Sequence, residues 1–338
     1  MLSRRQMIAA LAVTPAAAGL AACSSGSSTK SGTTTSNAGG KAADKVTYLT
    51  GFGTTAREDY PYVGLAKGFF TEAGIDVTIL PGAPSDANLK SLAAGKAQFA
   101  SVDFVSAIRG AKAYPNYRAV AAVQSTTLLS MITLSDKGIT VPADLAGKTL
   151  GAAPAAASQT LFPTYAKLAG LDATKIKFVN AASDQLPSLL ATGKVDAIGA
   201  YAVDTPGVTA AAQGKTAVVL PYSKYLTDLY GTVLLATTSV LGSNPDLVQR
   251  FVGALIKSIR YAVDNPEEAG TLINAKLPLV KAATVTKTMT LMKPYVTSAA
   301  LDQARVMRGI ALLETAGLAQ AGLTPETVVN FDMAAKAA

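Results

Sequence analysis

The side chains able to do chemistry in this 338-residue chain are carboxylates, amides, hydroxyls and a few cations, because it has no histidine and Cys23 is its single cysteine. Zinc sites of the Cys/His kind, Ser-His-Asp triads and Cys-His pairs have no residues to build them. No catalytic group, metal ligand or cofactor is assigned. The remaining groups suit the holding of a small molecule: Arg57, Glu58, Asp59, Asp103 and Asp204 for charge, Gln124, Thr54, Ser125 and Ser158 for hydrogen bonds, Phe52 and Tyr201 for ring faces, and Gly53 for a tight turn. Each falls at the end of a predicted strand or the start of a predicted helix, where open α/β sheets converge backbone N–H groups on a ligand.

The elements that position them begin with residues 46–80. Val46, Tyr48 and Leu49 predict a short strand, and Gly51 and Gly53 a turn. Asp59 or Tyr60 would cap a helix with Pro61 in its first turn. Tyr62, Leu65, Ala66, Phe69 and Phe70 share its apolar face, and Gly74 ends it. Ile75, Val77 and Ile79 then alternate with Asp76 and Thr78, a strand's period of two. Ser85 caps the next predicted helix, and residues 98–102 read as a buried strand ending at Asp103, which can cap the following helix, touch a ligand, or do both. Gln124 and Ser125 follow the apolar strand 117–123. In the second half, Ser158 or Thr160 caps a helix carrying Pro163, Asp184 reads as a cap rather than a ligand contact, and Tyr201 either covers a ring-shaped ligand or packs on a neighbour. Asn244 caps a strongly amphipathic helix, and the helical remainder reads as packing without chemistry.

At the N-terminus, Arg4 and Arg5 precede a small, apolar run, as in a signal peptide. Leu20-Ala21-Ala22-Cys23 resembles a lipobox, which implies lipidation of Cys23; Ser3-Arg4-Arg5-Gln6-Met7 is also similar to a twin-arginine motif, and an ordinary basic leader fits as well. Residues 23–40 are mostly Ser, Thr and Gly, a composition that buries too little to fold. They read as a tether. The net charge of +8 comes without a Lys/Arg block, so nucleic acid is not expected as a partner.

Ala66-Lys67-Gly68-Phe69-Phe70, with Gly74 and Asp76, resembles the opening of the substrate-binding proteins of ABC importers for nitrate, sulfonates, taurine and the pyrimidine precursor of thiamine. Gly138-Ile139, then Asp144-Leu145-Ala146-Gly147-Lys148, and Gly193 through Ala197 are similar to further family runs. The resemblance implies an α/β, two-lobed periplasmic-binding-protein type II fold, each lobe a mixed sheet flanked by helices, hinged on two crossover strands. The expected boundaries are a signal peptide over 1–22, a tether over 23–44, one lobe from 45–134 and 238–338, and the other from 135–237. It also implies a monomeric receptor, lipid-anchored at the outer face of the cytoplasmic membrane, that closes on a small molecule and meets an ABC permease and its ATPase. Some enzymes on this fold use a histidine or a cysteine, whereas this chain has no histidine and its single cysteine falls in the lipobox-like run. Arg57 and helix starts suit an anion such as a sulfonate or nitrate, whereas Glu58, Asp59, Asp103 and Asp204 repel one. A neutral or partly cationic heterocycle, such as a thiamine-pyrimidine-like precursor, is therefore the expected ligand, with a small anion as the alternative.

Overall fold

The computed structural model describes residues 42–337 apart from residue 155. The predicted signal peptide, Cys23 and the tether as far as residue 41 lie outside the described residues. From β1 (Asp44–Leu49) the chain passes through α1 (Pro61–Ala66) and α2 (Phe69–Glu72) to β2 (Ile75–Leu80), which pairs in parallel with β1. The helix expected over this stretch is two, because Gly68 between them takes a left-handed φ of 77°. The Asp59 side chain caps neither; Tyr60 stands at the cap position of α1 without a side-chain hydrogen bond. Next come α3 (Ser85–Ala93), β3 (Phe99–Asp103), α4 (Phe104–Gly110), β4 (Tyr117–Ala122) and β5 (Leu129–Leu134).

The middle of the chain supplies β6 (Thr149–Ala152), α5 (Ala157–Thr160), α6 (Phe162–Leu168), β7 (Lys177–Asn180), α7 (Leu186–Ala191), β8 (Ala197–Tyr201), α8 (Thr205–Ala211), β9 (Ala217–Pro221) and β10 (Thr232–Thr237). Pro163 sits in the first turn of α6, where its missing N–H is harmless, but Leu161 rather than Thr160 or Ser158 is the cap. Helices complete the chain: α9 (Thr238–Ser243), α10 (Pro245–Asp264), α11 (Pro266–Lys276), α12 (Ala282–Met292) and α13 (Gln303–Thr315), then two short ones.

The strands form two five-stranded sheets, β2-β1-β3-β10-β4 and β7-β6-β8-β5-β9. Each has a parallel part closed by one long-range antiparallel strand, β10 between β3 and β4 and β5 between β8 and β9. The two strands expected to carry the chain across are thus placed the other way round. Leu129–Leu134 lies wholly in the second sheet and Thr232–Thr237 wholly in the first, so the crossings run through the segments 123–128 and 222–231. Both strands are almost wholly buried, and only their partners tell the sheets apart.

The first sheet is covered by α10, whose cap Asn244 accepts from the Leu247 N–H at 3.1 Å. Its Phe251 stacks on Phe99 at 4.1 Å between ring centres and meets Tyr48 and Phe70 as well. Gly64 on α1 lies so close to Ser258 on α10 that any side chain there would collide. In the second lobe Tyr165 stacks on Tyr222 at 4.1 Å, and the Tyr222 hydroxyl donates to the Ser158 carbonyl at 2.7 Å, which fixes the start of α5. No helix among the described residues is long and apolar enough to cross a membrane.

Candidate functional site

The carboxyl ends of the parallel strands of both sheets open onto one cleft of about 640 Å³, a size that suits a small organic ligand. On the first-lobe side, the loop after β1 is pinned to the loop after β2: Gly82 N–H donates to Thr50 Oγ1 at 2.9 Å, Gly53 N–H to the Gly82 carbonyl at 2.8 Å, and Asn88 Nδ2 to the Thr50 carbonyl at 2.8 Å. This braced loop presents Phe52, Arg57 and Glu58 to the cleft. Gly51 leaves room for the Glu58 carboxylate, which a Cβ there would displace.

Arg57 ties the two lobes together. Its Nε donates to Glu58 Oε1 at 3.2 Å, its Nη1 to Asp204 Oδ1 at 3.3 Å, and its guanidinium carbon lies 3.9 Å from the centre of the Tyr201 ring. Asp204 Oδ2 accepts in turn from the Tyr201 N–H at 3.2 Å, so ring and carboxylate are set by one turn of chain. Glu58 is 3% exposed and its Oε2 has no hydrogen-bond partner among the described residues. Burial raises its pKa, and Arg57 offsets part of that.

Asp103 caps a helix and also stands on the cleft. Its Oδ1 caps α4 by accepting from Val105 N–H at 3.0 Å, and the residue lines the cleft. Burial pushes its carboxyl up to about 6, against the pull of the Ser106 and Val105 N–H groups. Gln124 Oε1 accepts from Thr232 N–H at 2.9 Å, leaving Nε2 unpaired, and Gly231 is needed beside it because a Cβ would approach that Oε1 to 2.6 Å. Ser158 lines the second-lobe side against Gly199, where a Cβ would come within 2.5 Å of its Oγ.

Of the predicted site residues, Phe52, Arg57, Glu58, Asp103, Gln124, Ser158, Tyr201 and Asp204 thus stand on one cleft. The other four are not among its lining residues. Gly53 and Thr54 belong to the pinned turn. Ser125 Oγ is engaged with the Tyr295 carbonyl and Thr297. Asp59 is fully buried, with neither carboxylate oxygen partnered, and burial followed by the charge of Glu58 lifts it to about 7.

Sequence reasoning missed Asp86, Arg109, Thr284 and Thr288, and gave Asp184 a capping role, whereas it lines the cleft and Gln185 caps α7. A helical-face reading could have flagged Arg109, which lies one turn beyond Ser106, another lining residue, on the helix that Asp103 caps. Nothing in the sequence flags the two threonines, which lie on α12, in the part expected only to pack.

The family described as NMT1/THI5 like matches residues 60–269, more than half of the chain. The chain belongs to the NMT1/THI5-like family. The formylaminopyrimidine-binding protein of Halalkalibacterium halodurans is 23% identical over 248 residues, 71% of this chain and 74% of that protein. Two solved structures share the fold of this family member. The periplasmic aliphatic sulphonate binding protein SsuA of Escherichia coli has a TM-score of 0.69 at 15% identity, covering 86% of this chain and 92% of its own. The periplasmic nitrate-binding protein NrtA of Synechocystis PCC 6803 has a TM-score of 0.66 at 11% identity, covering 88% of each. The structural likenesses bear out the expected two-lobed fold of two mixed sheets flanked by helices. The NMT1/THI5-like match takes in Asp103, Gln124, Ser158, Tyr201 and Asp204, but begins after Glu58 and ends before α12.

Proposed function

We propose that this protein is the extracytoplasmic receptor of an ABC importer, held at the membrane by a lipid on Cys23, that closes its lobes on a neutral or cationic nitrogen heterocycle of the aminopyrimidine kind and hands it to the permease and its ATPase. The observation that carries the ligand class is the charge of the cleft wall: among the described residues, Glu58, Asp86, Asp103, Asp184 and Asp204 face it with only Arg57 and Arg109 as cations. The Arg57 guanidinium already donates to two of those carboxylates. An anion would have to displace Asp204 and sit among the remaining negative charges, whereas ring N–H and amino groups find acceptors. The binding named for the Halalkalibacterium halodurans relative supports the same class. Closure follows if the ligand touches both walls in the closed form and one in the open form, because only differential contact shifts such an equilibrium.

Titration calorimetry on the purified protein tests this reading with 4-aminopyrimidine, methanesulfonate and nitrate as probes. Saturable heat with the pyrimidine alone is expected; saturation by methanesulfonate or nitrate with no response to the pyrimidine overturns it. Loss of membrane association and of fatty-acid labelling in the Cys23→Ser variant tests the anchor.

A further inference from the structure

One side chain grips both of the segments that cross between the lobes. Arg305, on α13 of the first lobe, donates from Nη1 to the Ser125 carbonyl at 2.8 Å and from Nη2 to the Leu229 carbonyl at 2.9 Å. Its guanidinium carbon lies 3.8 Å from the centre of the Tyr230 ring, so the planar fork is held on its face as well as at its tips. The same helix reaches the second crossing twice more. Arg308 Nε donates to Asp228 Oδ1 at 2.9 Å, and the N–H of Asp302, the cap of α13, donates to the Tyr230 hydroxyl at 2.8 Å. Ser125 is bound to the first lobe from a further side, its N–H donating to the Tyr295 carbonyl at 2.7 Å.

The far ends of the crossings belong to the second lobe. The Leu128 carbonyl accepts from Ala202 N–H at 2.8 Å, and Leu226 N–H donates at 2.8 Å to the carbonyl of Tyr222, whose ring stacks on Tyr165. Between these fixed ends lie residues 126–127 on one crossing and Thr227 on the other. Among the described residues, Thr126 and Thr227 take part in no hydrogen bond, and Thr227 is exposed. The backbone bonds that span these positions are long: Thr127 N–H meets the Leu229 carbonyl at 3.3 Å, and Leu229 N–H meets the Leu226 carbonyl at 3.2 Å. Rotation of two lobes is absorbed by the dihedrals of a few residues, and those free of hydrogen bonds absorb it at least cost.

We propose that Arg305 is a positioning residue for the cleft: it clamps both crossings to the first lobe and so confines the rotation between lobes to residues 126–127 and Thr227. This rests on the closure reading above. Gln124 adjoins the clamped Ser125, Gly231 adjoins Tyr230, and both line the cleft, where Gly231 N–H donates to the Gln124 carbonyl at 3.2 Å. The clamp therefore also holds the floor on which the ligand rests. Arginine suits the task because one rigid fork serves two carbonyls at once.

Spin labels at Lys90→Cys on α3 and Lys177→Cys on β7, both exposed and on opposite lobes, report the lobe separation in a Cys23→Ser chain, which has no other cysteine. With Arg305 intact, the ligand-free protein is expected to give a narrow distribution of distances. Arg305→Met should broaden it towards separations that the parent lacks. It should also weaken binding of 4-aminopyrimidine roughly fivefold, because fewer of the lobe arrangements then fit the ligand. Arg305→Lys, which keeps the charge without the fork, should recover part of both effects. Leu313→Ala loosens the packing of the same helix without touching either crossing, and should leave the distances as in the parent. Unchanged distances in Arg305→Met, or equal broadening in Leu313→Ala, overturn the clamp. The ligand-free comparison stands apart from the closure reading, which is overturned for this ligand if saturating 4-aminopyrimidine leaves the parent distances unmoved.

Discussion

The first lobe meets the cleft with a braced, charged loop, in which Glu58 is almost fully buried beside Arg57 and Asp103 is held by the start of α4. The second lobe meets it with small and aliphatic residues, among them Ala157, Ser158, Leu186, Ile198, Gly199 and Val208, and Tyr201, Asp204 and Asp184 supply its ring and its charges. One wall fixes charge and the other fixes shape. Arg57 joins them, which gives the charged wall a measurable hold on the second lobe.

The charged wall breaks most easily at Arg57. Arg57→Met leaves Glu58 buried without its cation, and losing one member of a buried pair costs about 3 kcal/mol. Urea melts should show that loss, and Glu58→Gln added to Arg57→Met should recover at least half of it by removing the stranded charge. Simple additivity of the two substitutions would mean that the pair contributes nothing as a pair.

A steric change should injure the second wall where a charge change injures the first. Gly199→Ala forces a Cβ against Ser158, and overpacking of this kind costs about 2 kcal/mol in stability. Ser158→Gly in the same chain makes room and should return most of it. Failure of that rescue would place the strain elsewhere in the strand.

Sequence legibility divides along the same line. Strands β1 and β2 and the apolar helical face between them could be read because alternation and three-four spacing are local signals, whereas the break at Gly68 could not. Asp103 could be read as a cap that also faces the cleft, since a strand end and a helix start coincide there. Asp59 could not, because its neighbour Glu58 looks the same in sequence and only the course of the loop decides which carboxylate meets the cleft. The sheet assignments of β5 and β10 also escaped, as each depends on antiparallel partners far away in sequence. The role of α12 escaped for a different reason: Val285, Met289 and Met292 give it an ordinary buried stripe, and the threonines beside that stripe look like solvent-facing filler.

Asp59 offers a pH-dependent test of how far burial of charge belongs to the first lobe. Its carboxyl rises to about 7 in the folded protein from an ordinary value near 4, so folding is helped while it is protonated. That stability is fully present below about pH 4 and is lost as pH rises through about 7. Asp59→Asn should therefore unfold at the same temperature as wild type near pH 3, and be more stable by as much as about 4 kcal/mol at pH 8. Thermal melts across that range check it, and an offset independent of pH would show that Asp59 is not the group that titrates.

The mildest break is at the join. Asp204 is 37% exposed, so its pair with Arg57 is worth only about 0.5 kcal/mol and is open to screening by salt. Asp204→Asn should weaken binding of 4-aminopyrimidine about twofold at low ionic strength, an effect that fades at 1 M NaCl, where charges more than about 3 Å apart are screened. The radius of gyration by scattering should shift slightly towards the open form in the variant. A loss of tenfold or more that persists in salt would carry a different meaning: Asp204 would then act on the ligand directly, and the second lobe would share the electrostatic work that its wall of small and aliphatic residues leaves to the first.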